Sequence, residues 1–129
     1  MLVLVDTTVL IDYLRGAPVR ERVDEALDRG DLLGATAINV EELWRGLRPE
    51  ERSRAAELIE GLVVIPLGAD EGKRAGSWRG EFAAKGVTLS QADCLIAAAA
   101  LRVGATLATG NSKDFPMTQI RVDHWPVGQ

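Results

Sequence analysis

Four acidic residues of this chain, Asp6, Glu42, Asp93 and Asp114, each stand beside a short apolar segment. Leu2-Val3-Leu4-Val5 runs straight into Asp6, and Glu42 lies shortly after Leu32-Leu33-Gly34-Ala35. Asp93 opens a long apolar stretch, and Asp114 follows Thr106-Leu107-Ala108. In an open parallel α/β sheet, strand ends and the starts of the following helices meet at one edge, where ligands bind. Carboxylates gathered there repel one another, by roughly 4 kcal/mol per pair at about 4 Å and an effective dielectric near 20. A cation relieves that repulsion, and a donor set made only of oxygen suits Mg²⁺ or Mn²⁺.

Taken one at a time, each acid has a plain structural reading. Asp6 follows a strand and precedes a helix, where Asp is a favoured N-cap. Ser90-Gln91-Ala92-Asp93 fits a capping box with Asp93 at the third helical position. Glu41 and Glu42 are adjacent and cannot share a helix face; Glu42 points away from the stripe of Val40, Leu43, Trp44 and Leu47 and reads as solvated. Asp114 sits in the polar turn Asn111-Ser112-Lys113-Asp114-Phe115. What weighs against a mere cap at Asp93 is the apolar helix it starts: a charge there faces a cleft or needs a partner.

These positions meet only if strands and helices alternate. Leu2–Val5 reads as a buried strand, and Thr7 and Thr8 open a helix through Leu14, stopped by Gly16 and Pro18. An amphipathic helix follows from Val19 to Arg29, then a strand from Leu32 to Ala35. Thr36 caps the helix that carries Glu42. Pro49 breaks that helix and starts another, Glu50 to Glu60. A third strand spans Leu62 to Ile65, and Ala69 to Lys85 reads as a helix interrupted in pattern by Gly72, Gly76 and Gly80. Ser90 begins the most helical segment, apolar all round and ended by Gly104. Thr106–Ala108 forms a fourth strand, a short helix lies near Asp114-Phe115, and Ile120–Val122 forms a fifth, edge strand. The alternation predicts a three-layer α/β/α domain, residues 1–129, around a central parallel sheet of four to five strands.

The bulk numbers fit one soluble domain. The chain has 129 residues, 47% hydrophobic and 26% charged, with a net charge of −4. That balance argues against a generalist nucleic-acid binder, but not against a nuclease, since a metal cluster supplies its own positive charge. Arginines concentrate locally at Arg45, Arg48, Arg52 and Arg54, with a smaller group at Arg74 and Arg79; as single residues they read as solvated helix faces pairing with glutamates. Cys94 is the only cysteine, which fits a reducing, cytoplasmic setting, and it reads as packing rather than as a nucleophile. The longest apolar run, Cys94 to Leu101, is far too short for a membrane span. The single histidine, His124, is read as remote from the four acidic segments. Trp44 and Trp78 are expected in the core or an interface, and Trp125 as an anchor for the C-terminal tail or a contact with a partner.

The acids also sit in four ordered motifs. Leu4-Val5-Asp6-Thr7-Thr8-Val9-Leu10-Ile11 resembles the first motif of PIN-domain ribonucleases. The segment from Ala35 to Gly46 resembles the second, whose acidic residue precedes a leucine and so selects Glu42 over Glu41. Leu89-Ser90-Gln91-Ala92-Asp93-Cys94-Leu95-Ile96 is similar to the third, and Thr109-Gly110-Asn111-Ser112-Lys113-Asp114-Phe115 to the fourth. Asn39 departs from the pattern, standing where Ser or Thr is common. In size and order the chain resembles the VapC-type toxins of type II toxin–antitoxin pairs.

The resemblance implies a metal-dependent endoribonuclease that binds Mg²⁺, or Mn²⁺, between its carboxylates. Asp6 and Asp93 are then the principal ligands. Glu42 and Asp114 bind a second ion or hold waters, with Glu42 helping to deprotonate the attacking water. Thr7 and Asn111 supply supporting hydrogen bonds. A cognate antitoxin and a homodimer are implied, with RNA as substrate and no membrane. Two alternatives stand beside this: a catalytically silent PIN-like protein-binding module, and an aspartate-nucleophile phosphohydrolase of the haloacid dehalogenase type. The latter wants a second Asp where this chain has Thr8.

Overall fold

The protein is described from a computed structural model covering residues 1–16 and 18–127. In chain order the elements are β1 (Leu2–Val5), α1 (Thr7–Leu14), α2 (Val19–Asp28), β2 (Leu32–Thr36) and α3 (Ala37–Arg45). A 3₁₀ turn (Pro49–Glu51) leads into α4 (Arg52–Glu60), followed by β3 (Val63–Ile65), α5 (Ala69–Ala84), α6 (Gln91–Val103) and β4 (Thr106–Thr109). A second 3₁₀ turn (Ser112–Asp114) precedes β5 (Arg121–His124). The strands form one parallel sheet in the order β3-β2-β1-β4-β5. The expected fifth strand is present as an edge, shifted toward the C-terminus of its predicted span.

Strand alternation divides the core into two layers, as a period of two requires. Val3 and Val5 of β1, Leu33 and Ala35 of β2, and Ala108 of β4 pack with α1, α2, α3 and α4. Leu4, Ile65 and Leu107 pack on the other side with α5 and α6. The small residues Ala97, Ala98, Ala99 and Ala100 are buried in α6, so that helix sits close against both the sheet and α5. Its last residue, Val103, is 41% exposed and does not join the buried face expected for it. Trp78 is core and Trp125 packs into the α1–α4 layer. Trp44, in contrast, is 40% exposed and is no core residue. No helix among the described residues is long and apolar enough to cross a membrane.

The strand order places a topological switch between β1 and β4. From β1 the chain leaves toward β2 and β3, while β4 and β5 lie on the other flank. Connections diverging from two neighbouring parallel strands leave a crevice at their carboxyl ends, the usual place for a ligand in such sheets. Asp6 follows β1 directly, and Thr109 is the last residue of β4.

Candidate active site

Asp6 is both a helix cap and the centre of this crevice. Its Oδ1 accepts from the Thr7 N–H at 2.9 Å, and its own N–H donates to the Ala108 carbonyl at 2.9 Å, extending the β1–β4 ladder. Its Oδ2 accepts from the Thr109 hydroxyl at 2.8 Å. Thr109 Oγ1 in turn accepts the Asn111 N–H at 3.0 Å, so the threonine proton is directed at Asp6. Asn111, expected to supply a supporting hydrogen bond, makes one to Thr109 through its backbone N–H.

Glu42 is delivered by α3. Thr36 ends β2 and caps α3 in a capping box with Asn39: the Thr36 N–H and hydroxyl both donate to Asn39 Oδ1, at 2.9 and 2.8 Å. That bonding leaves Asn39 Nδ2 to donate to Thr7 Oγ1 at 3.1 Å, and Thr7 Oγ1 donates to Glu42 Oε1 at 2.7 Å. A continuous chain of hydrogen bonds thus runs from the end of β2 to the Glu42 carboxylate. Asn39 is wholly buried at its centre. Its amide supplies an acceptor on one side and a donor on the other, which a Ser or Thr hydroxyl cannot do at the same reach.

Asp93 stands at the third position of α6, where its N–H donates to the Ser90 hydroxyl at 3.0 Å. Behind it, Arg79 of α5 donates to the Leu89 carbonyl at 3.2 Å and steadies the approach to the helix. Asp114 closes the second 3₁₀ turn, held by its N–H to the Asn111 carbonyl at 2.9 Å.

The electrostatics link Asp6 and Asp93 to the other two acids. Burial pushes the Asp6 carboxyl above its usual range; the Thr109 hydroxyl and Thr7 N–H resist this, and the charges of Glu42 and Asp114 reinforce it. Asp93 is likewise raised, first by desolvation, against its Ser90 hydrogen bond, and further by Asp6, Asp114 and Glu42. The Cys94 thiol next door is pushed up by burial and by Asp93, which agrees with its reading as packing. Asp6 and Asp93 thus lie within electrostatic reach of each other and of Glu42 and Asp114.

The donor set fits a hard cation. Its charged groups are all carboxylates, their neighbours are hydroxyls, and their mutual repulsion is what a divalent ion offsets. Among the described residues no three Asp, Glu, His or Cys side chains converge tightly enough to form a finished metal cage. Mg²⁺ does not require one: it binds through one or two carboxylates and keeps several of its waters.

Three contributors escaped the sequence reading. Thr109 and Asn39 act through partners brought near only by folding. His124, read as remote, is not: it pairs with Thr109 across the β4–β5 ladder, and its Nε2 lies 3.2 Å from the Gly110 carbonyl. It braces the turn that carries Asp114. Gly110 has no room for a side chain, because a Cβ there would run into Val127. The buried Thr8 hydroxyl has no hydrogen-bond partner among the described residues, and it offers no acid in place of the phosphohydrolase's second aspartate.

Comparison with known proteins agrees with this architecture. Ribonuclease VapC19 of Mycobacterium tuberculosis is 30% identical over 115 residues, covering 88% of this chain and 92% of its own. The DNA-bound VapBC structure from Salmonella typhimurium aligns with a TM-score of 0.81 and 28% identity, over 97% of this chain and 99% of that one. VapBC2 from Rickettsia felis, bound to a promoter DNA fragment, shares the fold at a TM-score of 0.84 and 23% identity, over 97% and 99% of the two chains. The PIN domain family matches residues 3–119, and the chain belongs to that family, in its VapC-type branch.

Proposed function

We propose that this protein is a metal-dependent endoribonuclease toxin that hydrolyses RNA phosphodiester bonds and is restrained by a cognate antitoxin. The observation that carries the reading is the placement of Asp6 at the β1–β4 switch point, where hydrogen bonds fix its carboxylate and where it and Asp93 both feel the charges of Glu42 and Asp114. The ribonuclease name of VapC19 supports the reaction class, and the VapBC complexes support the antitoxin partner. A homodimer and a cytoplasmic setting follow from the same resemblance.

Asp6 and Asp93 are the residues that would hold Mg²⁺, with Mn²⁺ as an alternative; Asp114 and Glu42 would bind a second ion or hold waters. When bound, such an ion polarises a phosphoryl oxygen and makes water a better nucleophile. The chain's own groups do the rest. Thr109 fixes the Asp6 carboxylate in one orientation. Thr7 holds Glu42 by Oε1, leaving Oε2 to accept the proton of the attacking water.

The test is cleavage of RNA by the purified protein in Mg²⁺, in EDTA, and by Asp6→Asn in Mg²⁺. Cleavage is expected only in the first. Asparagine keeps the cap and shape of Asp6 while removing its charge, so unaltered cleavage by Asp6→Asn would remove the assignment.

A further inference from the structure

The far end of α1 opens onto a groove of about 440 Å³ between the end of α1 and the start of α4, lined by Arg15, Arg20, Arg48, Arg54, Glu50 and Glu51. Its charges are not evenly matched. Glu51 is clamped by two guanidiniums, with Arg15 Nε at 3.2 Å and Arg48 Nε at 3.3 Å. That double clamp holds its carboxyl down at about 2, so Glu51 is a spent counter-ion. Neither Arg20 nor Arg54 takes part in the ion pairs seen among the described residues. Arg20 is fixed in place by stacking over the Tyr13 ring at 4.9 Å and by donating from Nη2 to the Tyr13 carbonyl at 2.9 Å. Its Nε is buried, with no hydrogen-bond partner among the described residues.

We infer that this groove binds phosphates of the RNA strand upstream or downstream of the cut, as an exosite for the substrate. The inference rests on the ribonuclease reading above. A guanidinium held in place on the groove wall, outside those ion pairs, still offers its remaining outward N–H groups and its charge to a phosphate, and Arg54 adds a second charge on the same wall. Position favours the same strand that enters the cleft. α1 joins the two features, with Asp6 at its start and Arg15 just past its end. At 1.5 Å per residue they lie roughly 13 Å apart along the helix, a span of about four stacked nucleotides at ~3.4 Å each. The need is also clear: the chain carries a net charge of −4 and an acidic cleft, so a polyanion must be attracted elsewhere on the surface.

The experiment measures binding of oligouridylate longer than this span, across a salt series in Mg²⁺-free buffer, to wild type, Arg54→Ala and Arg54→Glu. Arg54 is exposed, so these variants should fold normally; Arg20→Gln, checked by its melting curve, provides a second probe. Each lost guanidinium should weaken binding about tenfold near ~0.1 M salt and flatten the log–log salt slope by about 1, with Arg54→Glu the weakest binder. Affinity and slope unchanged in all variants, or no oligouridylate binding by wild type, would overturn the exosite. So would equal displacement by polyglutamate of matched charge, which would make the groove a site for acidic peptides. Wild-type cleavage of the same RNA in Mg²⁺ is scored separately. Cleavage with no effect of Arg54 removes the groove and leaves the enzyme; groove binding without cleavage does the reverse.

Discussion

Each carboxylate in the cleft is held by a hydroxyl or amide of a different element, and this division of labour decides what single substitutions do. Thr109 donates to Asp6 and is itself locked by the Asn111 N–H. Thr109→Val keeps the shape and removes the donor, so divalent-metal affinity should fall by about 10–100-fold, the usual effect of losing a ligand's orienting partner. Calorimetric titration with Mn²⁺ checks this, and an unchanged affinity would mean that Asp6 needs no orientation. Asn39 is more costly to lose. Asn39→Leu strands the Thr36 N–H and the Thr36 hydroxyl in a buried setting, at about 1–3 kcal/mol for each unsatisfied group; urea denaturation should show the loss, together with reduced cleavage because Thr7, which holds Glu42, loses its own anchor. The raised carboxyls also set a pH signature. Asp6 and Asp93 bind protons more tightly when folded, so their stabilising contribution is full below the unfolded value near 3.9 and is lost as pH rises through their raised folded values. Glu51 runs the opposite way, contributing above 4.5 and losing its effect as pH falls toward about 2. In EDTA, Asp93→Asn should therefore melt higher than wild type at neutral pH, with the gap closing in acid. Parallel curves would contradict the coupling.

At the scale of elements, legibility in the sequence followed from how local each cause is. β1 was readable because Leu2–Val5 is apolar throughout and ends in an acid, and α6 because Ser90 caps it and Gly104 stops it. Gly104 takes the left-handed conformation at φ 68°; Gly104→Ala should cost about 1–2 kcal/mol without altering cleavage at room temperature, as paired urea curves and activity assays will show. α5 was harder to read, since Gly72, Gly76 and Gly80 weaken its pattern. They all lie on its exposed outer face, while Ala75 and Trp78 anchor the inner face against α6; tertiary packing overrides the poor propensity. The acids were legible as a set because each sits at a strand end or helix start. Their partners were not. The Thr109–Asp6 bond links residues 103 positions apart, and the place of His124 depends on β5 extending to that residue alongside β4.

The whole molecule combines an acidic cleft at one end of α1 with an arginine-lined groove at the other, on a chain of net charge −4. In the cleft Asp6 is buried and Glu42, Asp93 and Asp114 are half-buried, and the neighbouring charges raise the carboxyls of Asp6 and Asp93. A divalent ion should therefore act on function and stability at once, since any ligand that prefers the folded state raises the melting temperature. The central claim is that Asp6, Glu42, Asp93 and Asp114 form one cation-binding unit. Calorimetric titration of Mn²⁺ into wild type and Asp93→Asn at neutral pH tests it most directly. Saturable binding to wild type that is lost or greatly weakened in the folded variant is the predicted result; equal binding by both, or none by wild type, would contradict it.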